Sequence, residues 1–139
     1  MFPITLPGEL YLYNPSHLNW TDARRACRDF GYDLAMFGSY REYDAITPFL
    51  PHDHKPYGYI WVGAKLMGED LMNDFQWVSG EPLSPKFMKW TNDGIKNIEP
   101  DTVDQKCVII YKDGNKKERN GPSLGTWNCH YTAPSLCQL

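Results

Sequence analysis

Residues 19–37 read NWTDARRACRDFGYDLAMF, and this stretch decides the fold. Trp20, Ala23, Cys27 and Phe30 recur at helical spacing and share one face, while the arginines and aspartates take the other. Asn19 is a helix cap by type, Asp22 suits the positive end of the helix dipole, and Gly31 suits a left-handed cap at the far end. Asp33 to Phe37 then reads as a short buried segment. Working outward, residues 3–14 (PITLPGELYLYN) alternate around Leu10, Leu12 and the tyrosines, which predicts a first strand ended by Pro15. On the other side, Ser39-Tyr40-Arg41-Glu42 has capping-box spacing at the head of a second helix, and Pro48 cuts that helix short.

Further along, Pro51-His52-Asp53-His54-Lys55-Pro56 is a surface loop by composition, and Tyr59-Ile60-Trp61-Val62-Gly63 is a buried strand. Periodicity fades from Lys65 to Lys106, where Gly, Pro, Asn and Asp are scattered among Phe75, Trp77 and Trp90. An irregular stretch of this length inside a compact domain is usually functional or disordered. Strand character returns at Cys107–Tyr111, followed by a Lys112-Asp113-Gly114-Asn115 turn and the mixed charge cluster Lys116–Arg119. The chain closes with Gly125–Cys129 and Ser135–Leu139 as further strands. Helix, helix, strand, long loop and paired strands make an α+β plan in a single domain spanning 1–139.

At 139 residues, 42% of them apolar, the chain has ample material for one core. No stretch is apolar for long enough to cross a bilayer, so no membrane insertion is expected. A net charge of −3 supplies no basic field, which argues against nucleic acid or anionic lipid as the partner. Neither a Gly-x-Ser-x-Gly elbow, a phosphate-cradling glycine loop nor a His-Glu-x-x-His helix is present, and enzyme function is not expected.

The four cysteines Cys27, Cys107, Cys129 and Cys137 lack the paired C-x-x-C spacing of zinc sites and read as disulfides. Disulfides imply an oxidising compartment, hence a secreted protein or ectodomain. No leader precedes Phe2-Pro3, and Met1 is read as a start codon standing where a leader has been removed. By spacing alone, all three pairings of four cysteines remain open.

Five segments then carry a resemblance: NWTDARRACRDFGYDLAMFGSYREYDAI, YIWVGAK, FQWVSGEPL, KCVIIYK and GTWNCHYTAPSLC, in that order. They resemble the landmarks of the C-type-lectin-like domain along nearly the whole chain. Trp61-Val62-Gly63 stands where that family carries its core Trp-Ile-Gly strand. The resemblance implies two helices with small antiparallel sheets and a long irregular loop region. It also implies the pairs Cys27–Cys137 and Cys107–Cys129, the first tying the opening helix to the last strand and the second closing the base of the long loop. Members with an extra N-terminal hairpin carry another cysteine pair that this chain lacks, so it looks like the short form.

In the sugar-binding members calcium is held by a Glu-Pro-Asn or Gln-Pro-Asp triplet, an acid before the third-from-last cysteine, and a Trp-Asn-Asp run. Calcium takes six to eight oxygen ligands, and two sugar hydroxyls complete its shell. Here Glu99-Pro100-Asp101 stands for the triplet, Asp104 for the acid, and Trp127-Asn128 for part of the run. The implied Ca2+ ligands are Glu99, Asp101, Asp104 and Asn128, with Glu99, Asp101, Asn128 and Trp127 contacting a glycan. Three departures are visible. Gln105 occupies the family's usual acid position, Cys129 follows Asn128 directly so the last Asp is missing, and the spacing from Trp90 to Glu99 is long. Two acids in the triplet also remove the amide donor that separates mannose-type from galactose-type sites. Pro100 would be cis by the same analogy.

Each of these residues also has a plainer reading. Glu99, Asp101 and Asp104 are equally well solvated acids in a turn. Trp20, Trp61 and Trp77 read as core aromatics, while Trp90 and Trp127 are candidates either for the core or for stacking on a sugar. Asn19-Trp20-Thr21 fits the N-glycosylation pattern and the helix cap alike, and His52 and His54 read as solvated rather than as metal ligands. The expectation is a secreted, calcium-dependent lectin for terminal sugars, acting as a homodimer for avidity. The alternative is a calcium-independent module of the same fold that binds a protein, ice or a mineral through the long-loop face.

Overall fold

The computed structural model describes residues 1–51, 58–70, 73–83, 106–111 and 122–139. Along them run β1 (Phe2–Leu6), β2 (Glu9–Leu18), α1 (Trp20–Asp29), β3 (Asp33–Leu34), α2 (Tyr40–Ile46), a 3-10 turn (Thr47–Phe49) and β4 (Tyr59–Leu66). After these come β5 (Phe75–Trp77), β6 (Lys106–Tyr111), β7 (Ser123–Asn128) and β8 (Ala133–Gln138). Among the described residues the strands form one sheet in the order β1-β2-β8-β4-β6-β7, with β3 beside β8 and β5 beside β4. All pairings are antiparallel except β4 with β8, which meet in parallel at Trp61 and Ser135. The expected small sheets are thus joined through that contact.

Helix α1 forms as its sequence dictates. Asn19 is extended, its side-chain oxygen accepts the Asp22 N–H at 2.9 Å, and its carbonyl accepts the Ala23 N–H at 2.8 Å. The helix ends in a Schellman arrangement: Gly31, at φ +80°, donates to the Arg28 carbonyl, and Tyr32 donates to the Cys27 carbonyl. Trp20, Ala23 and Cys27 are buried as expected. Phe30 is not. It is the C-cap, past the last helical residue, and remains 61% exposed. In α2 the expected capping box is not made: Ser39 makes no side-chain cap bond, and Glu42 accepts not the Ser39 N–H but that of Gly38, one residue before the cap, at 2.7 Å.

The first dozen residues are a hairpin rather than one strand. Pro7 and Gly8 make the turn, Gly8 at φ +78°, and β1 pairs with β2 from Phe2–Tyr13 to Leu6–Glu9. Pro15 does not end β2. It falls where the pairing with β8 shifts register between Asn14 and Leu18, and an irregular ladder tolerates a residue without an N–H. An N-terminal hairpin is therefore present without the cysteine pair that the short-form expectation tied to it.

β4 and β6 are buried on both faces, and their alternation sorts side chains into two cores. Ile60, Val62, Ala64, Val108 and Ile110 join Tyr43 and Ile46 of α2 in one. Tyr59, Trp61, Cys107 and Ile109 join Trp20, Ala23 and Cys27 of α1 in the other. The two central indoles are satisfied by backbone: Trp20 Nε1 donates to the Val62 carbonyl and Trp61 Nε1 to the Leu18 carbonyl, each at 2.9 Å. Both disulfides lie in the second core and pair as the resemblance implied, Cys27 with Cys137 and Cys107 with Cys129.

Candidate functional site

Of the four implied calcium ligands, Asn128 lies among the described residues, and Glu99, Asp101 and Asp104 lie outside them. So do Trp90, Pro100, His52, His54 and the whole of 112–119. Asn128 is the last residue of β7 and stands directly across the ladder from Lys106, the first residue of β6. In the sequence, Asp104 precedes Lys106 by two positions. One residue further into the sheet Cys107 faces Trp127, and the Cys107–Cys129 bond closes the corner.

The side chain of Asn128 is built into a tight turn. Its Oδ1 accepts the His130 N–H at 2.9 Å, and its backbone carbonyl accepts the Tyr131 N–H at 3.0 Å. The next carbonyl, that of Cys129, accepts the Trp20 N–H at 3.0 Å and so fastens this end of β7 to the start of α1. A carbonyl oxygen has two lone pairs, so the bond from His130 does not by itself exclude a cation at Asn128.

Trp127 is placed otherwise than a sugar-stacking residue needs. Its indole is 6% exposed, with the Tyr59 and Tyr131 rings each 5.0 Å away and Trp61 at 5.8 Å. These neighbours occupy the surroundings that a pyranose face would require, and the residue contributes packing. Trp20, Trp61 and Trp77 are core residues as read from the sequence. Asn19 spends its oxygen on the helix cap.

Beside Asn128 opens a cleft of about 420 Å³ lined by Trp20, Thr21, Lys65, Lys106, Cys129 and His130, among others. Sequence reading did not single out Lys65 or Lys106. They are 41 positions apart, and only the β4–β6 pairing, with Lys65 opposite Cys107, brings them together.

A mixed sheet flanked by two helices, one disulfide from first helix to last strand and a second at the base of a long inserted segment, defines a C-type-lectin-like domain. The chain belongs to the C-type lectin domain family: residues 16–139 match the family described as "Lectin C-type domain". It is 30% identical over 131 residues to "CD209 antigen-like protein D" of Mus musculus, covering 94% of this chain and 51% of that protein. The chain thus spans about half the length of this curated relative. Among solved structures it resembles the C-type lectin domain of murine dendritic cell inhibitory receptor 2 in complex with N-glycan, with a TM-score of 0.75 and 22% identity over 99% of this chain and 94% of that one. It also resembles the Ca2+-independent C-type lectin SPL-2 from Saxidomus purpuratus, with a TM-score of 0.72 and 21% identity over 99% and 90% of the two chains. Among the described residues no helix is long and apolar enough to cross a membrane.

Proposed function

We propose that the chain is an extracellular glycan-binding module, without catalytic activity, whose site lies where β6 begins and β7 ends. The observation that carries this reading is the pairing of Lys106 with Asn128. Through it, the start of β6, two positions after Asp104 in the sequence, stands beside Asn128 at one corner of the sheet. The likeness to a lectin domain solved with an N-glycan supports the same choice of ligand.

In this reading Glu99, Asp101, Asp104 and Asn128 hold calcium, a hard cation matched to carboxylate and amide oxygens. When bound, the ion offers its remaining coordination positions to sugar hydroxyls. The disulfide and the Trp20–Cys129 hydrogen bond keep the Asn128 turn in place, so that the donor is oriented before ligand arrives. Single sites of this kind bind weakly, and a homodimer would raise avidity.

A second reading is favoured by one specific feature. Cys129 directly follows Asn128, which removes the last residue of the family's Trp-Asn-Asp run, and the oxygen of Asn128 already serves the turn. The same corner would then bind glycan, protein, ice or mineral without a cation; one fold neighbour is itself a Ca2+-independent C-type lectin. Calorimetric titration with calcium, followed by a glycan array with and without chelator, separates the two. The calcium reading expects metal uptake, and sugar binding that falls at least ~10-fold in chelator and in Asp101→Ala. Metal uptake and sugar binding both intact in Asp101→Ala would refute the ligand assignment, and sugar binding intact in chelator would establish the second reading.

A further inference from the structure

The cleft beside Asn128 has a chemistry of its own. Its described lining residues include Lys65, Lys106 and His130 and no acid. Lys65 is half-buried on β4, and its Nζ lies 5.0 Å from the centroid of the Trp20 ring, which the bond to Val62 holds in place. The contact is with the face of an indole; among the described residues no carboxylate lies within ion-pair distance of Lys65. Asp22, next to Thr21 in α1, does not line the cleft and pairs with Arg25 at 3.2 Å. An indole face attracts the ammonium yet leaves its three N–H donors to be used elsewhere.

The first turn of α1 opens onto the same space. Trp20 donates its N–H to Cys129, and Asp22 and Ala23 donate theirs to Asn19. Thr21, between them, lines the cleft and is exposed. Its hydroxyl supplies a neutral donor beside a cation, at the positive end of the helix. An anion in a partly desolvated cleft gains more from such a pair than it would at an open surface.

We propose that this cleft is a subsite for an oxyanion, a sulfate ester or carboxylate carried by the bound glycan, with Lys65 as its counter-charge and Thr21 as a hydrogen-bond donor. The proposal rests on the glycan-binding reading and narrows it to acidic sugars. The two places are contiguous, because Lys106 faces Asn128 across the ladder and His130 follows it by two residues.

Glucose, glucuronic acid and glucose 6-sulfate share one ring and differ at C6, so titrating each into the intact protein isolates the charged group. The expected result is that one or both anionic sugars bind about 10-fold more tightly than glucose, as for a charge-assisted hydrogen bond. Which of the two gains identifies the source of the oxyanion. Lys65→Gln is expected to erase that preference while leaving glucose affinity unchanged, and Lys65→Arg to keep it. Equal affinity for all three sugars, or a preference that survives in Lys65→Gln, overturns the subsite and leaves the glycan reading standing. If no sugar binds, neither these three nor any on the glycan array, the glycan reading falls. Inorganic sulfate, followed by tryptophan fluorescence, then decides for the cleft alone: a saturable change that Lys65→Gln abolishes sustains it, and no change overturns it.

Discussion

Gly63→Ala tests whether the architecture depends on one close backbone approach. Gly63 lies in β4 where the pairing with β6 shifts register between Trp61 and Lys65. Its N–H donates to the Ala35 carbonyl at 2.8 Å, and its carbonyl accepts the Val78 N–H at 2.7 Å, so three segments meet on it. A Cβ added there would stand 2.7 Å from the Leu34 carbonyl oxygen and 3.0 Å from that of Ala35. Both atoms are backbone, so no side chain can swing aside, and β3 must move away from β4. Overpacking of this kind costs ~1–3 kcal/mol. A weakened Gly63–Ala35 hydrogen bond adds about 1 kcal/mol, and the lower entropy of the unfolded alanine chain returns about 0.4–1 kcal/mol. The net expectation is a destabilisation of roughly 2–3 kcal/mol. Urea unfolding followed by tryptophan fluorescence reads it as a midpoint lowered by about 1–2 M at unchanged slope. A change below ~0.5 kcal/mol would show that the approach is slack and the reasoning wrong.

Two further perturbations test the staples and the core. Replacing Cys107 and Cys129 together by serine opens a loop of sequence separation 22 and should lower unfolding free energy. Chain entropy sets the size at about 3 kcal/mol, and a loss under ~1 kcal/mol in equilibrium unfolding would refute it. Tyr11, 2% exposed, has its hydroxyl pKa pushed up to about 12, chiefly by burial and then by the carboxylates of Glu9 and Glu42. An unfolded tyrosine loses its proton near ~10, so above that pH the unfolded chain holds fewer protons than the folded one, and stability falls as pH rises towards about 12. The loss approaches ~2–3 kcal/mol over the window. Tyr11→Phe should flatten that part of the stability profile, and identical slopes for the two proteins would dispose of the explanation.

What was legible in the sequence was whatever local chemistry fixes. Asn19, Asp22 and Gly31 spelled out α1, and Pro48 marked the end of α2, because caps and proline act within a turn of the chain. Apolar runs announced β4 and β6, although not which residue faced which core. The Pro7-Gly8 turn is written in the sequence as plainly as any, but the residues around it alternate without a break, so that two strands read as one. β5 is three residues long, too short to show a period, and exists because β4 offers it an edge. At the candidate site Asn128 was found by resemblance, but its use in a turn and the burial of Trp127 are tertiary outcomes. The Lys65 and Lys106 cleft had no local signature, since a cleft between distant strands is made by pairing rather than by sequence neighbours.

The single parallel contact between β4 and β8 divides the sheet along a seam. On one side lie β1, β2, β3 and β8; on the other lie β4, β5, β6 and β7. Pro134, next to the contact residue Ser135, has no N–H to lend it. Cys27–Cys137 staples the first half and Cys107–Cys129 the second, so neither covalent link crosses the divide. Among the described residues it is crossed by two indole N–H groups, Trp20 to Val62 and Trp61 to Leu18, by the Gly63–Ala35 and Trp20–Cys129 backbone bonds, and by both apolar cores. Trp20 ties the halves through both its indole and its backbone N–H, and a Trp20→Phe protein, which loses the indole bond alone, should show faster amide exchange along the seam while both disulfides stay closed.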